Sequence, residues 1–496
     1  MRVIESAAMQ DVEGRSALIV GTGLAGSLLA VFLARAGWTV RLVERRHDPR
    51  EKRFAEGRSI NLAISARGIK ALQRAGLEDR VMKDALRMYC RMIHPVQGAS
   101  HAHPYSNDPT RGINSVSRSA LNLALLDAAA SEARVSLLFA RRCTHVDSVK
   151  GTATFVDEAS GNAETFSADL IVGADGAYSA VRDALLKSGR VDFSQTFLTH
   201  GYKELVIPPV TSGKYAPHAL EPDALHIWPR GASMMIALPN PDGSFTCTLF
   251  WPWEDAANTP SFATVRSAAD ARAVFERDYQ DALPLMPTLA EDFERNAAGS
   301  MVTVRCSPWT ANGRVTLIGD AAHAVVPFYG QGANASFEDC EALTDALAAH
   351  ANIADALRAY ELARKANSNA IADMALANFV EMRDHSAKAS FRRKKAYGRF
   401  LSRIFGRYLE PEYDLVSFST VPYTEAQSRG KRTSTFMFAS IVLPIMLAGA
   451  GLFFYVEREY GKDTATDLAL KVLVLVFGIG AIVDVARRIS TASARP

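Results

Sequence analysis

A short apolar run that breaks into three spaced glycines, Ser16-Ala17-Leu18-Ile19-Val20-Gly21-Thr22-Gly23-Leu24-Ala25-Gly26-Ser27, constrains this chain more than any other stretch. It predicts a buried strand that turns tightly into a helix. Gly21 and Gly23 let the backbone bend and let a ligand approach it, and Gly26 lets helix and strand pack closely. The helix start, with Leu24 and Ala25, then presents unpaired N–H groups to a pyrophosphate. A GxGxxG pattern alone is common. Here a second apolar run, Val40-Arg41-Leu42-Val43, follows the helix and ends at Glu44, where a carboxylate is expected to meet an adenosine ribose. No second glycine fingerprint follows. One dinucleotide is therefore expected to have a dedicated fold, and any nicotinamide cofactor to bind transiently.

A chain of 496 residues is long enough for two or three domains. Its net charge of +3 is small and dispersed, which argues against a nucleic-acid partner, and the basic run Arg392-Arg393-Lys394-Lys395 is expected on a solvated helix face. The five cysteines, Cys90, Cys143, Cys247, Cys306 and Cys340, lie far apart with no CxxC pair. That pattern predicts neither a metal centre nor a disulfide framework and fits a reducing compartment. Residues 1–15 lack a long apolar segment, so no secretory signal is expected.

Further along, residues 88–114 mix aromatics, histidines and prolines, and Ser117 is placed to cap a helix running to about Ser131. Alternating runs over 135–166, separated by Gly151 and Gly161, predict hairpins. Residues 169–176 repeat the opening theme as a buried strand ending in an Asp175-Gly176 turn; Asp175 is either a turn residue or a neighbour of the cofactor. Residues 192–300 change character: 224–229, 234–239 and 245–251 read as strands of an antiparallel sheet, with Asn240-Pro241-Asp242-Gly243 as the turn between the last two. Its Trp and Phe side chains suit either a substrate wall or a core. The chain then returns to a buried strand ending at Asp320 and a glycine-rich loop that opens a helix near Ala333. Such a helix start suits a flavin ring or its ribityl oxygens, which makes Asp320, Gly332, Ala333 and Asn334 candidate cofactor residues. His323 reads as a structural hydrogen-bonding residue.

The GxGxxG strand with Glu44, the Asp175-Gly176 turn and the Gly319-Asp320 segment, in this order, resemble the single-component FAD-dependent aromatic hydroxylases. Arg58-Ser59-Ile60-Asn61-Leu62-Ala63, Arg91-Met92-Ile93-His94, Pro327-Phe328-Tyr329-Gly330-Gln331-Gly332 and Asn378-Phe379-Val380-Glu381-Met382-Arg383-Asp384 are similar, within that family, to the members that act on L-kynurenine. The similarity covers roughly residues 15–425. The fold class is then α/β: a Rossmann-like FAD-binding domain over 15–191, with a substrate-contacting segment at 88–114, that returns at 301–350. An antiparallel-sheet substrate domain is inserted at 192–300, and a helical substrate-capping region spans 351–428.

What the resemblance implies is bound FAD, transient NADPH, and O₂, with hydroxylation of L-kynurenine at ring position 3 through a flavin hydroperoxide. It implies that Arg91 and Tyr105 hold the substrate carboxylate, that Asn378 and Tyr413 complete the amino-acid pocket, and that Phe328, Tyr329 and Gln331 lie in the pocket between substrate and flavin. Arg118 would serve an FAD phosphate or the visiting NADPH. No strong base is required, because the flavin carries the chemistry and the aniline nitrogen activates the ring. Arginine suits a carboxylate through bidentate, charge-assisted contacts. Asn378, Glu381 and Met382, spaced i, i+3, i+4, would present an amide, an acid and an apolar contact on one helix face. Tyr329 and Ala333 depart from the family pattern. The competing readings are a flavin hydroxylase of another aromatic amino acid or amine and, from another class, a membrane-lipid flavin reductase.

The last reading comes from the C-terminal tail. Residues 434–456 are 23 positions without a charge, long enough to cross a bilayer, and Pro444 is tolerable there. A second apolar run, 468–483, carries Lys471 near its start. Arg429, Lys431 and Arg432 precede the pair and Arg487 and Arg488 follow it, whereas the connecting loop is acidic. The positive-inside rule then predicts a membrane hairpin over 434–488 with the catalytic part and the C-terminus in the cytoplasm.

Overall fold

A computed structural model describes residues 14–51, 61–254, 259–385 and 389–460. The chain divides into two units, Met1–Arg429 and Gly430–Pro496.

The first unit is built on a six-stranded sheet centred on Ser16–Val20, which pairs in parallel with Thr39–Val43 on one side and Leu170–Gly173 on the other. Val315–Leu317 and Val135–Leu138 extend the sheet in parallel, and Thr310–Ala311 closes one edge antiparallel. Leu18, Ile19, Val40, Leu42, Ile171, Val172, Val315 and Leu317 are all buried. That explains the near-continuous apolar runs in place of alternation: the parallel sheet is buried on both faces, its core shared with helices such as Leu24–Arg35 and with Val146, Ala153 and Phe155 of the three-stranded sheet. Residues 135–138, expected within a hairpin, join this sheet instead. The helix Arg118–Ser131 is a crossover that returns the chain parallel to Thr39–Val43. The segments that follow, Arg141–Asp147, Thr152–Asp157 and Ala163–Ser167, do form the expected hairpins. Ser117 caps the crossover helix, accepting from the Ala120 N–H at 3.3 Å.

A second, seven-stranded sheet lies between the site and a helical layer. Its centre is antiparallel: Gly299–Ser307, Asp192–Ile207, Phe245–Pro252, Met234–Pro239 and Ala224–Pro229 follow one another. Two further strands come from much earlier in the chain. Cys90–Ile93 pairs in parallel with Ala224–Pro229, and His101–Pro104 completes the edge. Alternation along these strands sends Trp228, Met235, Leu249 and Trp251 into a core with the helices Ala268–Asp278 and Leu289–Arg295. Ile227, Ile236 and Phe250 face the other way, toward Phe328, Phe379 and Met382. The tryptophans are thus core, and Phe250 belongs to the site side.

After the Asp320 turn the chain is helical: Gly332–Ala349, Ile353–Val380 with a π-helical turn at Glu381–His385, Ala389–Phe405 and Glu412–Phe418. The helix Tyr423–Tyr460 contains the apolar run of the second unit. It has a mean hydropathy of 2.2 in its most apolar window, no residue of which is buried, and it is the one helix among the described residues long and apolar enough to cross a membrane. The second apolar run, 468–483, lies outside the described residues.

Candidate active site

Three cavities follow one another through the first unit. The outer cleft, of about 690 Å³, is lined by Gly21, Thr22, Gly23, Glu44, Arg45 and Asp175 among others. It shares Gly23, Ala174 and Gly176 with a central cavity of about 410 Å³. That cavity in turn shares Arg91, Tyr105, Met382 and Tyr413 with a small inner cavity of about 100 Å³. A long ligand is thereby offered a continuous path from the glycine turn to Arg91.

The glycine turn is shaped for close backbone approach. Gly21 sits at φ +106°, and a Cβ there would lie 2.5 Å from the Ala174 oxygen; a Cβ on Gly26 would lie 1.9 Å from the Gly21 oxygen. No side chain larger than hydrogen fits either position. At Gly23 the reverse holds: a Cβ there would have no protein atom within 4 Å, so the space over it is open to the cleft and the central cavity. Such a cradle suits a phosphate chain, which would meet the backbone N–H groups of the helix Leu24–Arg35. Glu44 stands at the cleft. Its carboxylate accepts from the Thr22 N–H at 2.9 Å, the Thr22 hydroxyl at 3.1 Å and the Arg46 N–H at 3.0 Å, which fixes the turn as well. Leu24, Ala25, Arg118, Asp320, Gly332 and Ala333 all line the central cavity. Burial pushes the Asp320 carboxyl up, and Arg118 pulls it back toward the charged form.

Other expected residues come out differently. Asp175 lines the outer cleft and also makes the turn: its carboxylate accepts from the Ser179 hydroxyl and from the Ala180 and Val181 N–H groups, capping the helix Ala180–Ser188. Asn334, expected at the cofactor, has its amide engaged at both ends. Its oxygen accepts from the Ser65 N–H, and its nitrogen donates to the Ala63 and Gly330 oxygens. Gln331, expected in the pocket, is buried outside it, accepting from the Tyr423 hydroxyl at 2.9 Å. Asn378, expected on the substrate, donates to the Phe328 oxygen at 2.6 Å and lines none of the three cavities. For Asn334 and Asn378 the reason is common: a short polar side chain beside an irregular loop satisfies buried backbone groups, whereas Gln331 ties the same loop to a tyrosine hydroxyl. His323 is structural, bonded through Nε2 to the buried Asp339, which also accepts from the Gly319 N–H and so holds the Asp320 turn.

At the inner end of the central cavity, Arg91 is brought in by its strand, where it pairs with Leu225. Its side chain is 15% exposed, and its nearest acid is Glu381, 3.9 Å from Nη1; Glu381 also pairs with Lys395 at 2.9 Å. Arg91 Nε has no hydrogen-bond partner among the described residues. The guanidinium lies 4.9 Å from the ring centre of Tyr413 and 5.5 Å from that of Tyr105, and those two rings stack at 5.3 Å, with Tyr329 stacked on Tyr413 at 5.4 Å. Burial raises the pKa of all three tyrosines, which keeps their hydroxyls protonated and able to donate. Phe328, Tyr329 and Met382 form the adjoining walls. The result is a largely buried cation ringed by aromatic faces and tyrosine hydroxyls, a chemistry suited to a carboxylate carried on an aromatic body.

Sequence reasoning offered the antiparallel sheet as a wall without naming the residues that form it: Leu225, Ile236, Leu238, Thr248 and Phe250. Ile236 and Leu238, like Thr248 and Phe250, are two residues apart on neighbouring strands, so the alternation rule identifies them once the register is known.

The comparisons agree with this geometry. Residues 15–375 match the family model described as FAD binding domain. Over 425 residues the chain is 45% identical to kynurenine 3-monooxygenase of Myxococcus xanthus (strain DK1622), covering 86% of this chain and 90% of that protein. It is 45% identical over 415 residues to kynurenine 3-monooxygenase of Stenotrophomonas maltophilia (strain K279a), covering 84% and 90%. Among solved structures, 2-methyl-3-hydroxypyridine-5-carboxylic acid oxygenase superposes with a TM-score of 0.60 at 22% identity, covering 78% of this chain and 97% of that one. PqsL of Pseudomonas aeruginosa gives 0.60 at 22%, covering 76% and 99%; these two show the fold alone. With a glycine cradle for a dinucleotide, a continuous cavity and near-full-length relatives at this identity, the chain belongs to the kynurenine 3-monooxygenase family of FAD-dependent hydroxylases.

Proposed function

We propose that this chain hydroxylates L-kynurenine to 3-hydroxykynurenine with NADPH and O₂, using bound FAD. The observation that carries the substrate assignment is Arg91: a largely buried guanidinium, 3.9 Å from its nearest carboxylate, lining a cavity that also reaches the glycine cradle. FAD would be held by the Gly21–Gly26 turn, Glu44, Arg118, Asp320 and the backbone at Gly332 and Ala333. When bound and reduced by NADPH, it supplies activated oxygen to the substrate ring.

The protein's part is binding, orientation and exclusion of water. Arg91 pairs with the substrate carboxylate, and the Tyr105 and Tyr413 hydroxyls donate to it. Glu381, already the counter-ion of Arg91, faces the α-ammonium. The ring then lies among Leu225, Ile236, Leu238, Phe250 and Phe328, walls that keep water from the reacting carbon. The substrate's own aniline nitrogen feeds electron density into the ring, so no side chain must remove a proton before oxygen transfer. Asn378, Gln331 and Asn334 act one step back, holding the 327–334 loop in place.

We also infer that 434–456 crosses a bilayer, with the catalytic unit on the cytoplasmic side. Its length, its lack of charge and the basic residues Arg429, Lys431 and Arg432 before it support that orientation.

The test is O₂ uptake and stopped-flow flavin reduction with NADPH in the presence of kynurenine, other aromatic amino acids, or neither. Kynurenine-dependent uptake with formation of a 3-hydroxylated product is expected. Uptake that is indifferent to kynurenine, or faster with another aromatic amino acid, would overturn the assignment.

A further inference from the structure

The helix Ala389–Phe405 carries six basic residues and no acidic one: Arg392, Arg393, Lys394, Lys395, Arg399 and Arg403. Its inward side holds the fold. Leu401 and Ser402 are buried, Ser402 accepts from the Asn107 amide at 2.8 Å, and Lys395 is paired with Glu381. The outward side is unusual for a solvated helix. Tyr397, Phe400 and Ile404 share one stripe at helical spacing. On it Phe400 is 56% and Ile404 59% exposed, and just beyond the helix end Tyr408 is 78% exposed. Arg393, Lys394 and Arg403 are exposed alongside.

Isolated exposed apolar residues are ordinary, but a contiguous apolar stripe rimmed by one sign of charge marks an interaction surface. We propose that this face rests on the surface of a bilayer containing anionic lipids, with Phe400 and Ile404 entering the acyl boundary and Arg393, Lys394 and Arg403 meeting lipid phosphates. Two observations select a membrane over another occupant. The charge is uniformly basic, which complements anionic headgroups and disfavours a second copy of the same face. The same chain, beginning about thirty residues later, carries a helical run of bilayer-spanning length and hydropathy. The proposal rests on the reading that this run enters a membrane, and it adds a contact that the span does not require. One helix spans and the other lies in the interface.

The experiment uses the full chain reconstituted into vesicles of phosphatidylcholine alone and of phosphatidylcholine mixed with phosphatidylglycerol. An environment-sensitive fluorophore is attached at Phe400→Cys or Ile404→Cys, with Leu362→Cys, 82% exposed on the helix Ile353–Val380, as the reference and unsubstituted protein as the blank. Vesicle flotation is measured in parallel. Expected are a brighter, blue-shifted signal at positions 400 and 404 in the anionic vesicles, quenching by nitroxide placed high on the acyl chains, and no change at 362. Arg403→Gln should shift the docked-to-undocked ratio by roughly fivefold, the weight of one basic residue at an anionic surface. Protein that floats while 400 and 404 stay as wet as 362 overturns this contact and leaves the span intact. Protein that floats with neither vesicle overturns both. A signal that rises with protein concentration without lipid overturns the proposal in favour of self-association.

Discussion

Replacing Arg91 with Ala is the most informative single change. Arg91 is largely buried, lines both the central and the inner cavity, and has its closest counter-ion 3.9 Å away, so the guanidinium has no close anionic partner among the described residues. A bidentate contact to a carboxylate would supply two charge-assisted hydrogen bonds of about 1.5–3 kcal/mol each. Truncation would leave Glu381 without Arg91, but Lys395 remains 2.9 Å from that carboxylate, so no acid is orphaned. The low end of the range therefore applies: about 3 kcal/mol, or a loss of roughly 100-fold or more in kynurenine affinity. Arg91→Lys keeps the charge and loses the fork, and should cost about tenfold. The assay is titration of the oxidised holoenzyme with kynurenine, followed by the perturbation of the flavin spectrum, with flavin content measured beforehand. If Arg91→Ala binds kynurenine within about threefold of the parent while retaining flavin, the carboxylate site lies elsewhere.

Three further outcomes are expected. Gly23→Ala should leave the apoprotein's melting temperature unchanged, since no protein atom is near, yet weaken FAD binding by about 1–3 kcal/mol. Gly26→Ala, which drives a Cβ into the Gly21 oxygen, should prevent formation of the turn itself; equal behaviour of the two variants in flavin titration and thermal unfolding would refute the distinction. Tyr423→Phe removes the hydroxyl that donates to Gln331 but keeps the ring under Arg67, so urea unfolding should show a loss of about 1 kcal/mol, and none would mean the bond is idle. Burial, reinforced by the nearby His94, holds His226 down at about 4, against an ordinary 6.5, although its bond to the Glu221 oxygen opposes the shift. The depressed pKa means that the unfolded chain takes up the proton first. The stability linked to His226 is complete above pH 6.5 and is lost as pH falls toward 4, with about 2 kcal/mol gone at pH 5. His226→Gln should flatten that part of the urea-unfolding pH profile, and an unchanged slope would assign it to another group.

The sequence by itself determined whatever depends on neighbours along the chain. The strand, glycine turn and helix at 16–35, the hairpins around Gly151 and Gly161, the serine cap at 117 and the apolar run at 434–456 all follow from spacing and local backbone chemistry, and each is present. Tertiary structure decided which polar side chains face ligand and which face the protein. Asn334, Gln331 and Asn378 sit in motifs that suggest a pocket, yet each is occupied by a backbone or hydroxyl partner far away in sequence, and no local pattern reveals such a partner. It also decided where Arg91 stands. That strand enters the second sheet by parallel pairing with residues 224–227, and only this pairing aligns Arg91 with Leu225 and turns both toward the cavity. A one-residue slip would have sent Arg91 to the opposite face, because side chains alternate along a strand and the register between distant segments is fixed by the packing of the whole sheet.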